Sequence, residues 1–145
     1  MDLTVKGFYE LTLDELFEIY KFRAAVFIVE QNCVYQDVDE WDKSAYHLFL
    51  KENGEMQAYL RVLPSGTAFD DISIGRVITA KRRCGLGTRI MNEGIKVAKE
   101  KFNAKSITIK AQLYAKKFYE RFGFKEISEA FSEDGILHVE MKAVF

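Results

Sequence analysis

The chain alternates between two hydrophobic periods, 3.6 and 2. That alternation predicts its elements before any single residue is considered. A short first strand is expected at 5–9. Thr12-Leu13-Asp14-Glu15 is a capping box, in which the Thr hydroxyl and the Glu carboxylate satisfy donors at a helix start. Behind it Leu16, Ile19, Tyr20, Arg23 and Phe27 share one helical face. The pattern is lost at 32–44, where Asp37, Asp39, Glu40 and Asp42 gather, and a loop is expected. Residues 46–51 and 56–63 alternate as strands, with Asn53-Gly54 between them as a hairpin turn. Pro64-Ser65-Gly66 closes that unit. A β-branched run follows at 72–79, then a helix from 88 to about 101 carrying Ile90, Met91, Gly94, Ile95 and Ala98 on its apolar face. A strand at 106–111, a short helix at 114–121 stopped by Gly123, and a hairpin of 125–131 with 136–144 around Asp134-Gly135 complete the chain. The order is β-α-β-β-β-α-β-α-β-β, which predicts an α/β (α+β mixed) fold with helices on both faces of a mixed sheet.

Composition narrows this picture mainly by exclusion. The chain has 145 residues with one Pro, and it shows no linker, repeat or low-complexity run, so one domain over 1–145 is expected. Basic and acidic residues nearly balance, 21 against 22, which gives no global pull toward nucleic acid or a membrane surface. No apolar stretch approaches a membrane span and the N-terminus lacks a signal-peptide pattern. Two cysteines make no disulfide framework, and with two histidines no metal site is expected. A reducing, cytoplasmic setting is the expectation.

The chemistry concentrates at Arg82-Arg83-Cys84-Gly85-Leu86-Gly87-Thr88, between the run at 72–79 and the next helix. A strand, a two-glycine turn and a helix N-terminus form an anion site, because backbone N–H groups point outward and the helix dipole favours negative charge. Arg82 and Arg83 add charge-assisted hydrogen bonds. The spacing is neither the dinucleotide fingerprint nor a nucleoside-triphosphate loop. An ordinary βα turn with a solvated basic edge is the alternative reading of the segment. Cys84, beside arginines at a helix N-terminus, should be the more reactive of the two thiols.

Arg82-x-x-Gly85-x-Gly87 resembles the acyl-CoA pyrophosphate loop of the GNAT family of N-acetyltransferases. Residues 112–124, from Gln112 through Tyr119-Glu120 to Gly123-Phe124, resemble that family's closing motif. Segments around Phe27 to Cys33, Tyr35-Gln36-Asp37 and Glu133 to Met141 resemble its ElaA-type branch. The resemblance implies the GNAT acyl-CoA N-acyltransferase fold, a single mixed and mostly antiparallel sheet with helices on both faces. It implies acetyl-CoA as acyl donor and a primary amine, small-molecule or peptide, as acceptor. Arg83 through Thr88 would hold the pyrophosphate, with Arg82 as a flanking cation. Backbone groups near Val77 and Ile78 would pair with the pantetheine arm, in the gap between the cradle strand and the next one. GNAT domains often pair, so a homodimer is a further implication.

Tyr119 takes the general-acid position by this resemblance, since a phenol with a reference pKa of about 10 is protonated at neutral pH. Read alone, it is one more aromatic among Phe118, Phe122 and Phe124. Gln112 stands where the family has an Asn that contacts the cofactor, one methylene longer. Glu30 and His138 are the candidate bases, each also readable as a salt-bridged or hydrogen-bonded residue. Arg23 interrupts an apolar stripe, where a charge must be paired or must bind a substrate carboxylate. Arg61 and Arg76 lie within strands and are candidates for lining the substrate cleft. The acids at 37–42 would either attract a cationic amine or sit in a solvated loop. An N-acetyltransferase is the first reading and a non-catalytic acyl-CoA-binding module the second. An interaction module rests only on Lys81-Arg82-Arg83.

Overall fold

The computed structural model describes residues 1–32, 35–81 and 85–145. β1 (Asp2–Gly7) leads to α1 (Leu13–Arg23), whose Thr12/Glu15 capping box forms as the sequence predicts. The helix continues into a wider π-helical segment, Ala24–Glu30. β2 (Tyr46–Glu52) and β3 (Glu55–Leu63) form the expected hairpin, with Asn53 and Gly54 both at positive φ as a type I′ turn requires. β4 (Ser73–Thr79), α2 (Leu86–Phe102) and β5 (Ser106–Gln112) follow. α3 (Lys116–Glu120) is a single turn ended at Gly123, φ +92°. The chain finishes with β6 (Lys125–Glu126), β7 (Phe131–Glu133) and β8 (Ile136–Val144).

Alternation along β2 and β3 sends side chains to two cores. Leu48, Leu50, Leu60 and Val62 face α2, which contributes Ile90, Met91, Val97 and Ala98. Phe49 and Tyr59 face α1, which contributes Ile19 and, beyond its end, Phe27. Helices therefore cover both faces. Gly94 sets the distance of α2 from the sheet, because a Cβ there would lie 2.9 Å from Leu60 Cδ2.

The expected single sheet comes in two halves. β1-β2-β3-β4 form one, and β5, β8, β6 and β7 the other, with every ladder among the described residues antiparallel. One backbone bond joins the halves among these residues, Thr108 N–H to Ile72 O at 2.9 Å. Asp71 fastens that closed end by accepting from Ser106 Oγ (2.8 Å), Thr108 Oγ1 (2.9 Å) and the Ile72 N–H (2.9 Å). From there β4 and β5 diverge, leaving two unpaired strand edges facing a common gap. The last hairpin also departs from the expected continuous strand at 125–131. Ser128 Oγ accepts from Glu140 N–H in place of a ladder carbonyl (2.9 Å), which divides that strand into β6 and β7.

The loop read at 32–44 contains a 3-10 turn, Glu40–Lys43, and of its four acids Glu40 is exposed while the three aspartates are withdrawn from solvent. Asp37 and Asp42 are buried, and Asp39 is half-buried beside them.

Candidate active site

The β4–β5 gap is the floor of a pocket of about 710 Å3, within the range of small-molecule and cofactor sites. Gly75 to Lys81 and Ile109, Lys110 and Gln112 form its edges. Gly85, Gly87 and Thr88 close one end at the start of α2. Glu30, Tyr119 and His138 complete the wall, so the three catalytic candidates meet in one space.

The end near α2 suits an anion. Gly85 is the N-cap, at φ +77°, and among the described residues no side chain caps this helix. The N–H groups of its first turn thus keep their hydrogen-bonding capacity for a ligand. Gly87 lies against Phe118, where a Cβ would come within 3.2 Å of the ring. Leu86 turns its side chain into the core, leaving only its backbone for binding. Arg82, Arg83 and Cys84 lie outside the described residues. Arg121, passed over in the sequence, supplies a cation here, with Nη2 3.4 Å from Thr88 Oγ1 and its guanidinium over the Phe118 ring. Its place three residues before Phe124 in the closing motif was the available signal. An extended chain ending in phosphates fits this arrangement of open strand edges and an uncapped helix end.

Tyr119 packs edge-on against Phe118 and Phe124, and its ring also borders the pocket. Burial pushes its phenol above the ordinary value, with Tyr114 adding to the shift, so it stays protonated through the neutral range. His138 stacks on Phe131, and its Nδ1 is 2.8 Å from Ile136 O. A carbonyl only accepts, so Nδ1 donates, and in the neutral ring Nε2 is then the nitrogen with the lone pair a base needs. The Gln112 amide exchanges hydrogen bonds with Gln31 at 3.2 and 3.4 Å, which ties the end of β5 to the segment after α1.

Arg23 does not reach the pocket, and its reading as a substrate-carboxylate ligand is overturned. The side chain is wholly buried between Tyr20 and Tyr59. Nε binds Asp37 Oδ2 (2.9 Å), Nη1 binds Asp42 Oδ1 (2.7 Å) and Nη2 binds Asp37 O (2.7 Å). Arg61 and Arg76 do border the pocket, but their charges are matched. Arg61 forms a fork with Asp39 (2.7 and 3.0 Å) and reaches Asp42 (2.9 Å). Arg76 Nε lies 2.8 Å from Asp37 Oδ1. Three arginines and three aspartates thus neutralise one another, so the acidic cluster is not an attractor for a cationic amine. Burial raises the Asp42 carboxyl, but hydrogen bonds and charge from Arg23 and Arg61 outweigh it and hold the group below its usual range.

His47 is buried beside this cluster. Nε2 is 2.8 Å from Asp42 O and must donate, which makes Nδ1 the acceptor from Tyr59 Oη at 2.6 Å. Burial, with the nearby charges of Arg23 and Arg61, lowers its pKa despite the opposing effect of Asp42. The unfolded chain, with His near 6.5, then binds a proton more readily than the folded one. Stability from this group is present above about pH 6.5 and is lost as pH falls toward the lower folded value, with a slope no steeper than about 1.4 kcal/mol per pH unit. Thermal unfolding between pH 7.5 and 5.5 should show a falling midpoint. His47→Gln should flatten that fall, and an equal fall in both proteins would clear His47 of responsibility.

The family model for the Acetyltransferase (GNAT) domain matches residues 14–145. The chain belongs to the GNAT acetyltransferase family. A UPF0039 protein of Schizosaccharomyces pombe is 38% identical to it over 146 residues, covering 98% of this chain and 96% of that one. Protein ElaA of Escherichia coli is 35% identical over 136 residues, covering 91% and 89%. The crystal structure of E. coli ElaA superposes with a TM-score of 0.91 over 99% of both chains, at 33% identity. An acyl-CoA N-acyltransferase from Pseudomonas aeruginosa superposes at 0.93, with 34% identity over 99% of this chain and 100% of that one. This GNAT protein is thus an acyltransferase of the ElaA type, and its split sheet is the acyl-CoA N-acyltransferase fold. No helix among its described residues is long and apolar enough to cross a membrane.

Proposed function

We propose that this protein transfers an acetyl group from acetyl-CoA to a primary amine by direct attack on the thioester. The observation that carries the reading is the open β4–β5 gap, which leads from the uncapped start of α2 to Tyr119 and His138. Phosphates of the donor are held by the N–H groups of residues 85–88, by Arg121, and by Arg82 and Arg83. The pantetheine arm adds to the free edge of β4 near Val77 and Ile78, as an extra strand pairs with any open sheet edge.

In the transfer itself a C–N bond forms and a C–S bond breaks. The Tyr119 phenol gives its proton to the departing thiolate sulfur. A backbone N–H of Val77 or Ile78 donates to the thioester oxygen as charge develops there. The proton lost by the amine goes to His138 Nε2, with the Glu30 carboxylate as the other candidate base in the wall, or to water. Acceptor choice lies with side chains around the pocket, and the matched charges of Arg61 and Arg76 give the acceptor no strong net charge to answer.

Calorimetric titration tests the donor site, with CoA and adenosine bisphosphate as controls. Saturable acetyl-CoA binding is expected. It should weaken about tenfold or more, worth about 1.4 kcal/mol, when Gly85 and Gly87 are both replaced by Ala, since the first strains at positive φ and the second meets Phe118. A well-folded protein that binds none of the three would sink the proposal. A screen of amines for release of free thiol then identifies the acceptor.

A further inference from the structure

β4 carries a residue held in a backbone conformation that favours glycine. Tyr59 pairs with Ile78 and Arg61 with Gly75, so Arg76 and Val77 together oppose the single residue Leu60. This is a β-bulge, and Arg76 occupies its left-handed position at φ +53°. Glycine is the default residue there, and an L side chain is strained. Gly75 is the immediate neighbour, yet its own φ is not positive.

The bulge changes which way the strand faces. Ile74 and Val77 pack into the α2 core, whereas Ile78 packs into the α1 core. Without the extra residue Ile74 and Ile78 would share a face. The backbone of 76–78 is also the stretch that borders the pocket.

What offsets the strain is the arginine's hold on the segment after α1. Nε lies 2.8 Å from Asp37 Oδ1, and Nη2 donates to Asp37 O at 3.0 Å and approaches Asp39 Oδ2 at 3.5 Å. The guanidinium sits over the Tyr35 ring, whose hydroxyl donates to the same Asp37 Oδ1 at 3.0 Å. Asp37 is gripped from its other side by Arg23, so the anchor point is itself fixed.

We infer that Arg76 is a positioning residue, pinning the β4 bulge to Asp37 so that a backbone N–H of Val77 or Ile78 is held toward the reacting thioester. The inference rests on the acetyl-transfer reading above. It further makes the 35–42 segment, which borders the pocket through Tyr35 and Trp41, mechanically continuous with the strand that binds the donor.

The test is Arg76→Gly, which suits the left-handed φ but removes the anchor, beside Arg76→Lys, which keeps a cation. Amide resonances of Val77 and Ile78 are followed during titration with acetyl-CoA and with CoA. In the unaltered protein at least one amide should respond to acetyl-CoA and not to CoA. Arg76→Gly should lose that difference while binding both ligands within about threefold, and its turnover of the best amine should fall at least tenfold in kcat with KM for acetyl-CoA little changed. Arg76→Lys should recover part of the loss. An acetyl-specific response that persists in Arg76→Gly, or kcat equal to that of the unaltered protein, overturns the anchor alone. Collapse of CoA binding together with turnover in Arg76→Gly overturns it too, by making Arg76 merely structural. No acetyl-specific response in the unaltered protein overturns the placement of the thioester, and the anchor with it.

Discussion

Tyr119→Phe is expected to lower kcat about a hundredfold or more, the usual worth of a positioned general acid, and to leave acetyl-CoA affinity within about twofold. The substitution removes one oxygen and keeps the ring. Edge-on packing against Phe118 and Phe124, with centroids 5.1 and 6.2 Å away, survives the change. Folding stability should therefore move little, and lost turnover cannot be charged to a damaged core. The departing thiolate then has to take its proton from water. The pH profile adds a second check. Because burial lifts the phenol above its ordinary value near 10, Tyr119 gives no falling alkaline limb in kcat below about pH 10. A limb at pH 8 or 9 belongs to another group and should persist in the Phe variant. Steady-state thiol release paired with calorimetry decides the matter: unchanged kcat at matched binding removes Tyr119 as the acid.

The parts legible in the sequence were those written locally. The period of α2 and its apolar residues, the Asn53-Gly54 hairpin and the Thr12/Glu15 box each need only a few neighbouring residues, and each lies where its pattern predicts. The two glycines and Tyr119 were visible for the same reason, as motifs with short spacing. The bulge at Arg76 was not. Residues 72–79 look like an uninterrupted β-branched strand, and the left-handed turn within it is held by an aspartate 39 positions earlier. The acidic loop misled for a related reason. Four acids in a patternless stretch resemble a solvated surface, which Glu40 is, whereas the three aspartates pair with Arg23 on a helix stripe and with Arg61 and Arg76 on two strands. The usable signal was that one arginine sits on the apolar stripe of a helix and two sit within strands, in a chain with acids clustered in one loop. Charges so placed must find one another. The split of the last hairpin turned on one side-chain oxygen, Ser128 Oγ, which no periodicity registers.

Arg23→Met should cost the fold about 3–5 kcal/mol, the range for breaking a buried ion pair by removal of one partner. Methionine fills similar space between Tyr20 and Tyr59, so cavity formation contributes little. The cost comes from what is left behind. Asp37 and Asp42 lose three short hydrogen bonds among them, and Asp42 keeps its buried charge with Arg61 alone. Tyr59 Oη also loses the guanidinium at 3.5 Å, though not His47. Urea unfolding measures the loss directly as a lower midpoint at unchanged slope. Partial recovery by Asp42→Asn in the Arg23→Met background would locate the penalty in the uncompensated carboxylate, because the second change removes the stranded charge and keeps an oxygen for Arg61. A loss below about 1 kcal/mol would place the cluster with exposed ion pairs, whose worth is of that size, and would contradict the burial seen here. The same variant bears on the site, since Asp37 is shared between Arg23 and Arg76. With one grip removed, the anchor of the β4 bulge loosens, and kcat should fall beyond what the unfolded fraction explains when turnover is measured well below the unfolding temperature.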